Sequence, residues 1–264
     1  MRTSLSIILF LTIVALSSCE KVILVDLNEA DRVYVIEGQI TNIEDMNFIK
    51  ISKSDDFYET EEFETISDAT ITVTDDQGNV SNFTEVSDGL YKSAGFTATS
   101  YTKYSLSVWI NGEEITAETF MPGNTSIDSI PYLEGSFFGS EGFNAFLYWT
   151  DPGSERNYYK YNNWQKSIGD NAYTPDPSIS ITEDALFNGI GTGIPLFSRQ
   201  FELGDTVIVD LMEIDEPNFK YWYALSQVTG GQTAAPGNPI SNLSGGTLGY
   251  FGAYNISRDT IVIE

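Results

Sequence analysis

The chain has 264 residues, with 13 Lys plus Arg against 38 Asp plus Glu, no histidine and one cysteine, Cys19. A formal charge of −25 argues against nucleic-acid binding and against attraction to an anionic membrane surface, because both need basic patches. The lack of histidine removes a Ser-His-Asp triad, a histidine-ligated zinc or haem, and the commonest general base. A lone cysteine allows no disulfide within the chain, so an apolar core must hold the fold, and the length is sufficient for one.

Arg2 opens a short positive segment, Leu5 to Leu16 is apolar apart from Ser6 and Thr12, and Ser17 and Ser18 precede Cys19. That order is a secretory signal, too short to span a bilayer. Leu16-Ser17-Ser18-Cys19 resembles a bacterial lipobox, which implies cleavage after Ser18 and a diacylglycerol thioether on Cys19. One acyl chain binds a membrane only marginally, whereas two or more anchor stably. Residues 1–18 therefore read as a lipoprotein signal peptide, and 19–30 as a tether.

Residues 31–125 read as a β-sandwich. Val33, Val35 and Ile40 mark a strand around Tyr34 to Gly38, and Phe48, Ile49 and Ile51 mark a second. Asp55 to Glu64 is acidic and irregular. Ile71 and Val73 alternate with threonines, Asp75 to Asn79 supplies a turn, and Val80 to Val86 returns. Asp88-Gly89-Leu90-Tyr91 turns into another strand. Tyr104, Leu106 and Val108 alternate with serines, and Asn111-Gly112 closes a hairpin onto Ile115 to Phe120. These segments resemble the immunoglobulin-like or prealbumin-like modules of bacterial envelope proteins.

Pro122 to Pro131 is rich in breakers and reads as a linker, so 126–264 is expected to be a second, β-rich domain. Phe143, Ala145, Leu147 and Trp149 alternate into a turn at Asp151-Pro152-Gly153, and Tyr158 to Trp164 is an aromatic strand. Residues 165–200 read mostly as loop, with strand pieces at Ile179 to Ile181 and Leu196 to Phe201. Thr206 to Ile214 alternates on Val207, Val209 and Leu211. Asp215 can cap a helix near 216–229, with Pro217 in its first turn and Gly230-Gly231 at its end. Phe219, Trp222 and Tyr223 form its apolar stripe, read as core. The tail from Leu248 to Ile263 is β again, which pairs the end of the chain into a sheet. The fold class is thus mainly β, a sandwich followed by a β-rich domain with one short helix.

The lipobox, Tyr34 to Gly38, Asp68 to Ile71, Ile127 to Ile130, Asp151-Pro152 with Asn157-Tyr158-Tyr159, Gly204 to Val207, and the tail Pro236 to Gly246 running into Leu248 to Phe251 together resemble one family. It is the Bacteroidota lipoprotein family called domain of unknown function 4249, and the glycine-rich tail is its most distinctive part. The resemblance implies an outer-membrane lipoprotein tied to the bilayer through Cys19, on a face the sequence does not specify. It also implies a TonB-dependent transporter as partner and a non-catalytic role in capturing or presenting nutrient. The alternatives are a structural or adhesive envelope protein and a carboxylate-dependent hydrolase. The last needs two acidic residues facing each other across a cleft.

No residues are singled out as catalytic, and no cofactor or metal is expected. Asp75 to Asn79 has oxygen ligands but lacks the closing glutamate of an EF-hand loop, so it reads as a hairpin turn. The acidic run Asp55 to Glu64 reads as solvated loop. Gly189 to Gly193 and Gly245-Gly246 read as backbone turns. If a ligand platform exists, the aromatic residues of the second block are its candidates: Tyr158, Tyr159, Tyr161, Trp164 and Trp222.

Overall fold

The alternating segments become sixteen strands, which a computed structural model describes for residues 32–55, 63–137, 140–196, 200–229 and 237–264. Strands β1 (Tyr34–Thr41) and β2 (Phe48–Lys53) pair antiparallel, and β3 (Thr70–Asp75) pairs with β4 (Val80–Ser87) as the turn residues predict. Asp75 Oδ1 accepts the N–H groups of Gln77 (3.0 Å) and Asn79 (2.8 Å), so this acidic stretch is a hydrogen-bonded turn. Strand β5 (Leu90–Lys92) is short. Strands β6 (Thr102–Ile110) and β7 (Glu113–Met121) form the Asn111-Gly112 hairpin, in which both turn residues have positive φ, 52° and 86°. The strand around Tyr34 buries Ile36 and Ile40, while Val33 and Val35 are half-buried. Most of the Asp55 to Glu64 run lies outside the described residues, as does Gly230-Gly231.

The second half contributes β8 (Ile127–Ser129), β9 (Tyr132–Phe137), β10 (Ser140–Thr150), β11 (Tyr158–Lys166), β12 (Thr174–Pro175), β13 (Ser180–Glu183), β14 (Gly191–Pro195), β15 (Thr206–Ile214), α1 (Glu216–Thr229) and β16 (Leu248–Val262). Four of these depart from the sequence reading. β9 is a strand where none is expected, β8 lies in the stretch read as a linker, and β12 and β14 (Gly191 to Pro195) lie where loop is expected. Glycine and proline are tolerated there because β14 is an edge strand. Gly193 also has a positive reason: a Cβ on it would meet the Tyr148 ring of the neighbouring strand at 2.4 Å.

Among the described residues the protein is mostly β, with one large mixed sheet, a second small sheet and one α-helix. The large sheet runs β12-β11-β15-β16-β1-β2-β5-β4-β3-β6-β7, with β13 also on β11. The small one runs β14-β10-β8, with β9 on β10. Residues 32–264 constitute one compact unit. The chain passes from β7 to β8 near the expected boundary at 125/126, but the large sheet continues across it. Its continuity comes from β16. Residues 248–254 of this strand pair in parallel with β1, and residues 255–262 pair antiparallel with β15.

Three apolar clusters follow from this path. The first fills the inside of the rolled strands β16 to β7 and contains Ile36, Ile49, Val73, Leu106, Val108 and Phe251. The second lies between the small sheet and one face of β11–β15–β16, with Leu147, Trp149, Tyr159, Val207, Val209 and Leu211. The third lies on the opposite face, under α1, with Tyr158, Met212, Ile214, Tyr250 and Tyr254. β15 is therefore covered on both faces, and from Val209 to Ile214 every residue is buried.

Candidate functional site

Four of the five aromatic candidates lie on β11, whose period-two geometry divides them, and the fifth, Trp222, lies on α1. Tyr158, Lys160, Asn162 and Trp164 share the face under α1. Tyr159, Tyr161 and Asn163 share the face under the small sheet. The five aromatic candidates thus do not converge on one platform.

On the helix side, Tyr158 is buried against Phe219, with ring centroids 4.9 Å apart. Trp222 anchors the helix. Its Nε1–H donates to Tyr254 Oη (2.9 Å), and Tyr254 Oη–H donates to Asn218 Oδ1 (3.2 Å). Asp215 caps the helix by accepting the Asn218 N–H at 3.0 Å. The inward stripe of α1 is Phe219, Tyr221 and Trp222, while Tyr223 is exposed and stacks on Phe219. Gly252 has no side chain because a Cβ there would meet Tyr254 Oη at 2.5 Å and Asn218 Oδ1 at 2.6 Å.

A row of charges continues from Trp222 toward Trp164. The Lys160 ammonium sits 4.7 Å from the Trp222 ring centre and donates to Asn162 Oδ1 (2.8 Å). Lys160 is 8% exposed, and burial lowers its ammonium to about 8, with Asp210 opposing that fall. Arg258 holds the buried Asp210 through two hydrogen bonds, Nε to Oδ1 at 2.6 Å and Nη2 to Oδ2 at 2.8 Å. Its guanidinium lies 5.6 Å from the Trp164 ring centre, so Trp164 supports an ion pair.

On the other face, Tyr159 is fully buried and donates to Asp151 Oδ1 at 2.5 Å. Burial and this hydrogen bond raise the phenol well above its ordinary range. Glu213 accepts from Thr125 Oγ1–H and Asn157 Nδ2–H, both at 2.7 Å, and Asp151 Oδ2 accepts the Gly189 N–H at 2.9 Å. All four oxygens of this buried acid pair therefore receive protein donors, an arrangement that ties β10, β11 and β15 together. Burial raises the Glu213 carboxyl, against the pull of its two donors. The network was invisible in the sequence because its members are separated by up to 88 residues.

Tyr161 is the one aromatic candidate beside a described cavity. With Asn163, Asp176, Ser178, Ser180, Pro195 and Leu196 it lines a space of about 220 Å³ where β11, β13 and the end of β14 meet. Asn163 is buried, donates Nδ2–H to Asp176 Oδ2 (2.9 Å) and leaves Oδ1 without a hydrogen-bond partner. The cavity therefore joins an aromatic wall to the serine hydroxyls and the Asp176 carboxylate. Among the described residues no group of three or more Asp, Glu, Cys or His converges to hold a metal ion. Cys19 lies outside the described residues.

The glycine-rich tail has a structural assignment. Asn242 Nδ2–H donates to Glu118 O (2.9 Å) and Phe251 O (2.8 Å), and its Oδ1 accepts the Phe251 N–H at 2.9 Å. Ser244 pairs with Thr116 through its N–H and its Oγ. Thr119 Oγ1 accepts the Ala253 N–H (3.1 Å) and donates to Asp215 Oδ2 (2.9 Å). The Asn242–Gly246 stretch thus covers the open edge of β7 and closes the rolled sheet against β16, which protects an edge that could otherwise recruit another strand.

No curated protein sequence matches the chain. The family described as domain of unknown function (DUF4249) matches residues 20–260, and the chain belongs to that family.

Proposed function

We propose that the protein is a lipid-anchored binding accessory of the outer membrane that captures or presents a ligand to a TonB-dependent transporter and catalyses no reaction. The observation that carries this reading is Leu16-Ser17-Ser18-Cys19 behind an apolar signal, ahead of the unit at residues 32–264. The described groups also support it. Asp151, Glu213, Asp210 and Arg258 are all engaged in holding strands together. The cavity at Tyr161 and Asn163, lined also by Ser178, Ser180 and Asp176, offers a place for a small polar ligand. No described helix is long and apolar enough to cross a membrane, so the lipid on Cys19 is the membrane attachment in this proposal.

Solubilisation in a mild detergent that preserves lipid-dependent assemblies tests the reading. A transporter should co-purify with the chain, and Cys19→Ala should move the protein out of the membrane fraction and lose the transporter. Recovery of the wild-type chain alone, under conditions that retain other transporter assemblies, would overturn the transporter role. An unchanged membrane fraction for Cys19→Ala would overturn the anchor.

A further inference from the structure

Four apolar side chains stand in solvent at one end of the β11–β15–β16 sheet. Ile168 is 79% exposed, Leu203 60%, Val262 46% and Tyr173 41%. They are neighbours. A Cβ placed on Gly204 would lie 2.2 Å from Ile168 Cδ1, so Ile168 rests on the turn that carries Leu203. The Gly204 N–H donates to Ile263 O at 2.7 Å, which sets that turn beside the end of β16. Lys166, Thr206 and Val262 lie in register across the three strands, and the Lys166 ammonium sits 5.7 Å from the Tyr173 ring centre.

Apolar groups gathered at two adjacent turns contribute nothing to the described core, and contiguous exposed apolar surface marks interaction sites. The rim identifies the occupant. Asp170, Glu202 and Glu264 are exposed around the tip and outnumber the one described cation there, Lys166, in a chain of net charge −25. A second copy would bring the same carboxylates against these, and an anionic lipid surface would repel them. We propose that this tip is a protein-docking surface whose partner presents an apolar patch bordered by lysine or arginine. The inference rests on the proposed accessory role only in placing that partner in the same envelope.

A photoreactive benzoylphenylalanine at position 203 in the full chain, expressed in its native cells, tests it. The same group at Ile240, 81% exposed and on a different loop, is the control. The expected result is a heterologous protein adduct at 203 and not at 240, whose crosslinked segment by mass spectrometry is apolar and flanked by Lys or Arg. Ile168→Asp, at a position too exposed to disturb the core, should lower the adduct by about tenfold or more while leaving the melting temperature unchanged. In isolated envelopes, raised salt should weaken it further. A lipid adduct, an adduct with a second copy of this chain, a partner segment without basic residues, insensitivity to Ile168→Asp, equal labelling at 240, or no adduct would each overturn the proposal. A basic-bordered partner of any identity supports the docking surface, while the transporter role stands or falls separately on the co-purification.

Discussion

Replacing Lys160 with methionine should stabilise the protein, and the size of the effect follows from where the amine sits. Burial lowers the ammonium from an ordinary 10.5 to about 8. Keeping it protonated near neutral pH therefore costs the fold about 3 kcal/mol by proton linkage. The contact with Trp222 returns about 0.5–2 kcal/mol of that. Methionine keeps the length, fills the same space between β11 and α1 and carries no charge, so Lys160→Met should gain about 1–3 kcal/mol near pH 7. The pH dependence gives a second signature. Between about pH 8 and 10.5 the unfolded chain binds a proton that the folded chain has released, so wild-type stability rises with pH across that window, and the variant lacks this rise. Buried Tyr159, Tyr250 and Tyr254, whose phenols are raised by burial, act in the opposite sense above about pH 10 in both proteins. The comparison therefore belongs between about pH 7 and 9.5, by urea unfolding followed through tryptophan fluorescence at constant ionic strength. A variant less stable than wild type near pH 7, or one with the same pH slope, would refute the reasoning.

Other substitutions probe the closure of the sheet and the ion pair. Asn242→Ala removes three hydrogen bonds between β7, the tail and β16, and should cost about 2–3 kcal/mol, with faster exchange of the Phe251 amide. Gly249 has φ +98°, and a Cβ there would lie 2.0 Å from Ile36 O. Gly249→Ala should therefore lose about 3 kcal/mol or more, whereas Gly78→Ala, at φ +85° with open space around it, should lose about 1 kcal/mol in the same thermal melt. Arg258→Ala strands the buried Asp210 carboxylate and should cost about 2–3 kcal/mol, and adding Asp210→Asn should recover part of that loss in a double-mutant cycle.

Much of the fold was legible in local pattern. The Ile71–Val73 and Leu106–Val108 alternations, the Asn111-Gly112 hairpin, the strand at Thr206 to Ile214 and the capped helix after Asp215 all occur at the expected places. Each depends on chemistry within a few residues, such as β-branched side chains, a turn that needs positive φ, or a carboxylate facing free N–H groups. β14 escaped because glycine and proline disguise an edge strand as loop. The candidate site was legible only as composition. Aromatic density drew attention to β11, but Tyr158 packs under α1, Trp164 lies against Arg258 on that same face, and Tyr159 and Tyr161 face the small sheet.

The sequence by itself determined the position of its one cysteine behind an apolar run, the charge balance, the absence of histidine and which residues alternate, because these are properties of composition and short range. Tertiary structure decided the rest. It joined the first strand in parallel with the last, covered β15 on both faces, and made the glycine-rich tail the closure of a rolled sheet. It also buried Asp151 and Glu213 in a shared network and left Ile168 and Leu203 together in solvent. Period-two alternation says which side chains share a face, but it does not say which face is covered or by what. That depends on contacts between residues far apart in the chain, where no single residue carries the signal.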